Sequence, residues 1–104
     1  MSKREIKLMS ETQQALVKMG ANIRKARLRR NLKAEYIADR ANISKGTLSS
    51  IEQGASTVSI GAYAAVLEVL ELDKDIQLLA LDEKGKKQFQ EQNLFSRERA
   101  SKKK

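Results

Sequence analysis

The side chains of this chain that could do chemistry are hydroxyls, amides, ammonium and guanidinium groups. With no cysteine and no histidine among 104 residues, thiolate and imidazole metal sites are excluded, as are Ser–His and Cys–His nucleophile pairs. Glu35, Asp39 and Glu52 suit a solvated helix face or an internal ion pair better than a catalytic carboxylate pair. What remains is hydrogen bonding and charge pairing, and the densest set for it is Ser44, Lys45, Gly46, Thr47, Ser49 and Ser50. These residues are short or flexible enough for a helix to approach a polyanion closely, and their donors suit base edges and phosphate oxygens. The sequence therefore reads as a binding protein, not an enzyme, with no metal and no cofactor.

Two short helices about a tight turn must position that set. In residues 32–54, Ile37, Ala38, Ala41, Ile43, Leu48 and Ile51 are spaced to bury the facing sides of two helices. Asn42 tolerates a left-handed backbone and can end the first helix. Ser44 is the expected cap of the second, its hydroxyl free to accept an orphan amide of the first turn. The pattern is that of a helix-turn-helix whose second helix would enter the major groove.

Residues from about Met19 to Leu72 also resemble the Cro/repressor-type helix-turn-helix family, often called XRE. The resemblance is carried by Ile23, Arg24 and Arg27, then Leu32, Ile37 and Ala38, then Ala41-Asn42-Ile43-Ser44 and Ile51-Glu52-Gln53-Gly54. It implies that Lys45, Gly46 and Ser50 fall where the family reads base edges. It also implies that Gln53 lies near a phosphate and that Glu52 pairs with Arg27 inside the fold. Lys33 and Ala34 stand where the family has Thr-Gln, so part of the usual contact set is missing, and Lys33 is a candidate phosphate contact in its place.

Composition bounds the rest. A chain with 40% hydrophobic and 4% aromatic residues can bury one modest, aliphatic core. No proline, five glycines and no long β-branched alternation predict an all-α protein. The expected fold is a five-helix Cro/repressor-like domain over residues 10–81, preceded by a basic arm at 1–9 and followed by a mobile basic tail at 82–104. Ser10-Glu11-Thr12-Gln13 has the form of a capping box, so the first helix is expected from Ser10 to about Arg30, with Leu16, Met19, Ile23 and Ala26 as its apolar stripe. Gly20 in that stripe would permit close packing. A fourth helix is expected from about Ser59 to Glu71. Its apolar residues, with Leu72, Ile76, Leu78, Leu79 and Leu81, exceed one stripe and suggest a surface left for a second subunit.

The net charge of +8 is unevenly spread, reaching +5 over residues 11–31 and −3 over residues 55–81. The basic helix can lie on phosphate through Arg24, Lys25, Arg29 and Arg30, while the acidic stretch would be turned away from DNA. No apolar run has the length of a membrane span, and a cytoplasmic, nucleoid-associated protein is expected. In the tail, Phe89, Leu94 and Phe95, flanked by Arg97 and Arg99, could dock on a partner protein. The scattered set Leu70, Leu72, Leu79-Ala80, Asp82, Gly85, Gln88, Leu94, Arg97 and Arg99 resembles the C-terminal stretch of HipB-like antitoxins. That resemblance implies an autoregulating antitoxin with a HipA-type kinase toxin as partner.

The sequence thus points to a homodimeric, sequence-specific repressor of double-stranded DNA. A solitary phage-type or metabolic repressor is the alternative within the class, and an adaptor that has lost DNA readout is the alternative outside it. Near absence of aromatic stacking residues disfavours single-stranded RNA.

Overall fold

A computed structural model describes residues 6–83. Within them the chain forms four α-helices, α1 (Ser10–Arg29), α2 (Ala34–Ala41), α3 (Lys45–Glu52) and α4 (Ile60–Val69), then a 3₁₀ helix at Asp73–Leu78. No strand occurs among the described residues. This is the all-α, five-helix architecture the sequence predicts, with the fifth element in the tighter 3₁₀ geometry.

The core is aliphatic. Ile37 and Ala38 of α2, Leu48 and Ile51 of α3, and Val66 and Leu70 of α4 and its end are buried against Ile23 and Ala26 of α1. Tyr63 is the one aromatic residue among these buried side chains, and its hydroxyl donates to the Ala55 carbonyl at 2.7 Å. Ala41 and Ile43, at the turn between α2 and α3, are half-buried and pack on this cluster. Helix α2 lies between α3 and α4, and α1 closes over α3.

The four α-helices share one ending. Asn31, Asn42, Gly54 and Glu71 each take positive φ, between 54° and 76°. In each case the next amide donates five residues back: Leu32 to Arg27, Ile43 to Ala38, Ala55 to Ser50 and Leu72 to Leu67. These are Schellman closures, which satisfy carbonyls the helix leaves orphaned and turn the following residue back toward the core. Asn42 thus makes the turn of the helix-turn-helix, at φ 60°.

Helix α1 sits directly on the end of α3. A Cβ on Gly20 would lie 2.5 Å from the Ile51 carbonyl oxygen and 2.7 Å from the Gly54 nitrogen. Only a glycine admits that approach without displacing backbone. Gln13 secures the same junction, its side-chain amide donating to the Gly54 carbonyl at 3.0 Å.

That contact explains a correction at the start of α1. The expected capping box does not form: Met9 precedes the helix, Ser10 is already helical, and no side chain caps the terminus. Gln13, which would have closed the box, is directed to Gly54 instead. Helix α4 is also shorter than expected, because Ser59 is its cap, accepting from the Ala62 amide, and Leu70 ends it. No helix among the described residues is long and apolar enough to cross a membrane.

Candidate nucleic-acid interface

Ser44 fixes the start of α3. Its hydroxyl accepts from the Thr47 amide and donates to the Thr47 hydroxyl, both at 3.0 Å. Ser44 and Thr47 therefore cap the helix in this structure, and Thr47 is half-buried. Lys45, Gly46 and Ser49 are exposed on the outer side of the helix, with Ser50 half-buried at its flank. A Cβ on Gly46 would meet only the Ser44 hydroxyl, at 3.7 Å. The fold leaves open space above Gly46.

Cationic and amide groups from α1, α3 and the residues flanking α2 and α3 line two hollows beside α3. Arg24 of α1 lines one hollow with Lys45, Ser49 and Gln53. Lys33, the residue preceding α2, lines the adjoining hollow with Lys45 and Glu35. Gln53 donates to the Ser49 hydroxyl at 3.0 Å, so these two act as one hydrogen-bonding unit. Ala34 lines both hollows, and its small side chain leaves the cleft between Lys33 and Lys45 unfilled.

Beneath this surface Arg27 and Glu52 lock α1 to α3. The guanidinium donates through Nε to Glu52 Oε2 at 2.8 Å and through Nη2 to Oε1 at 3.1 Å. Its third arm reaches the Leu32 carbonyl at 3.1 Å. The two side chains are only 12% and 9% exposed, so the pair is shielded from screening. Donation to the Glu52 carboxylate holds the Arg27 guanidinium above its ordinary pKa, burial opposing and charge reinforcing the effect. Arg24 lies 3.9 Å from the same carboxylate but is 59% exposed, leaving its cation available to solvent. Arg30 is turned back, donating to the Ala26 carbonyl at 2.8 Å.

Sequence reasoning places Lys33, Lys45, Ser49 and Gln53 in this region, and the structure brings them together around one exposed face. Glu35, expected on a solvated face or in an internal ion pair, instead joins this exposed face and accepts from Lys45 Nζ at 3.3 Å. The ten-residue separation of the two residues spans the turn, and helical periodicity within α2 or α3 carries no signal for it. The tail residues Phe89, Leu94, Phe95, Arg97 and Arg99 lie outside the described residues.

Two helices in a fixed crossing, an exposed N-terminal face on the second and cations flanking it define a helix-turn-helix module. The family described as helix-turn-helix domain matches residues 18–79, and the chain belongs to it. It is a regulator of the XRE-like, DNA-binding kind. Searches of curated proteins and of solved structures returned no match.

Proposed function

We propose that this protein is a sequence-specific repressor that binds double-stranded DNA as a homodimer and has no catalytic role of its own. The observation that carries the reading is the convergence of Arg24, Lys33 and Lys45 with Ser49 and Gln53 on the exposed side of α3. In this reading α3 enters the major groove, Lys45 and Ser50 reach base edges, and Arg24 and Lys33 rest on phosphates. The dimer reading is supported by exposed apolar residues on and after α4, with Ile60 at 70%, Leu78 at 63% and Leu79 at 58% exposure.

At a finer level, we propose the autoregulating antitoxin of a HipA-type toxin–antitoxin pair, acting in the cytoplasm at the nucleoid. This rests on the resemblance that runs from Leu70 to Arg99 and on the apolar and arginine residues of the tail.

Selection of duplexes from a random pool by the full chain, followed by footprinting on its own upstream region, tests the repressor reading. An enriched inverted repeat protected in that region is expected; a pool that stays random would overturn it. On the enriched duplex, Lys45→Ala should weaken binding by about 1–3 kcal/mol, the range for one base contact. An unchanged affinity and sequence preference would remove Lys45 from the interface. Co-purification with a HipA-type kinase, lost on truncation after Asp82, tests the antitoxin reading. A truncated chain that still captures the kinase fully would show that the tail is not the docking element.

A further inference from the structure

Glu35 is a carboxylate on a face otherwise built to meet a polyanion. It lies in the first turn of α2, 68% exposed, and its Oε2 accepts from Lys45 Nζ, itself 64% exposed. Among the described residues it is the one acidic side chain lining the hollow shared by Lys33 and Lys45. The nearby Glu52 is already paired with Arg27, so it leaves Lys45 alone. An exposed pair of this kind contributes little to stability, and its position gives it a different consequence.

We propose that Glu35 is a specificity-determining residue that acts through Lys45, suppressing attraction to phosphate while leaving Lys45 able to read a base. The inference rests on the DNA-binding reading above. An ammonium has three donors. With one held by Glu35, two remain for the O6 and N7 acceptors that guanine presents in the major groove. A Lys45–Glu35 pair carries no net charge, so contact of the pair with the DNA backbone releases no counterion and adds nothing to sequence-independent binding. For Lys45 to move onto a phosphate it must leave Glu35, whose carboxylate would then face the backbone uncompensated. Binding at a wrong sequence is therefore penalised and binding at the right one is not, which is specificity by repulsion of the competitor.

The test compares Glu35→Gln with Glu68→Gln, which makes the same charge change on an exposed residue of α4. Affinities are measured for the duplex that the wild-type chain enriches and for a random-sequence duplex, over a series of salt concentrations. Glu35→Gln should bind the random duplex about two- to fivefold more tightly, the scale of one exposed ion pair. The salt slope on that duplex should steepen by about 0.9, one phosphate contact. Affinity for the enriched duplex should move less, so the ratio between the two falls, while Glu68→Gln leaves the ratio unchanged. In a Lys45→Ala background, Glu35→Gln should no longer change the ratio. Equal behaviour of the two glutamine variants would reduce the effect to net charge and overturn the proposal. So would a ratio that still falls without Lys45, because Glu35 would then act alone. If the wild-type chain enriches no sequence, the DNA reading falls and this inference with it; an enriched sequence with no effect of Glu35 removes the inference alone.

Discussion

Arg27 and Glu52 meet in two parallel hydrogen bonds with about a tenth of each side chain exposed, so removing the carboxylate charge leaves a guanidinium with no counter-ion in a shielded place. Glu52→Gln should cost about 3 kcal/mol, the lower end for breaking a buried pair, and urea melts check it; a midpoint near that of the wild type would make the pair a surface contact. Tyr63 supports a second expectation. Burial raises the pKa of its phenol, so the folded state holds the proton more tightly than the unfolded chain. Its contribution is complete below the unfolded phenol value of about 10 and is lost as pH rises through the higher folded value. Tyr63→Phe should lose about 1 kcal/mol at neutral pH with the hydrogen bond to Ala55. That gap to the wild type should narrow in melts taken above pH 10, and a gap independent of pH would mean the phenol ionises equally in the folded and unfolded states. At this scale the resemblance made the Arg27–Glu52 pairing legible, because both residue types stand in the family pattern. The contacts of Gln13 with Gly54 and of Glu35 with Lys45 were not legible. Each joins two separate elements, the first over 41 residues and the second across the α2–α3 turn, and local spacing carries no information about which long side chain will reach across.

The helices end where their closures require a left-handed residue, and the four positions differ in how well the sequence serves them. Gly54 and the two asparagines suit that backbone, whereas Glu71, at φ 62°, carries a Cβ that is disfavoured there. Glu71→Gly should relieve that strain, and after the added entropy of a glycine in the unfolded chain it should stabilise the domain by about 0.5–1 kcal/mol. Asn42→Gly, at φ 60°, should change stability much less, since asparagine already tolerates the conformation. Denaturation midpoints of the two variants check the contrast, and a destabilised Glu71→Gly would assign the glutamate side chain a contact of its own. This difference also explains which boundaries the sequence revealed. Asn42 announced the turn between α2 and α3. Nothing in Leu70-Glu71-Leu72 reads as a terminator, and α4 stops because Leu72 packs back against the core while its amide closes onto Leu67. The capping box at Ser10 misled for a related reason. The motif describes what a helix start can do in isolation, and here tertiary contact claims Gln13 first.

Among the described residues, the cations that line the hollows beside α3 and the exposed apolar residues on and after α4 lie on different elements. The basic residues Arg24, Lys33 and Lys45 line the hollows beside α3, while Ile60, Leu78, Leu79 and Leu81 are exposed on and after α4. Leu79, Ile60 and Tyr63 also line an apolar groove of about 340 Å³ reached by Ile6 and Leu8 of the N-terminal arm. The surplus of apolar residues was legible in the sequence; which of them the monomer would keep was not. Tyr63, Val66 and Leu70 turn inward, whereas Ile60 remains 70% exposed, and that choice depends on where α2 crosses α4. An exposed apolar patch on a regulator of this class suits a two-fold contact between copies. Two copies joined there would present their α3 helices about 34 Å apart, one helical turn of DNA, and would read an inverted repeat. Ile60→Glu combined with Leu79→Glu places two carboxylates per chain at that contact without disturbing the buried core. Sedimentation should show the wild type as a dimer at micromolar concentration and the double variant as a monomer. The monomer should retain salt-sensitive binding to a random duplex and lose most of its preference for the inverted repeat, because each half-site must then be bound alone. A wild-type monomer that protects a single half-site would overturn the two-fold contact.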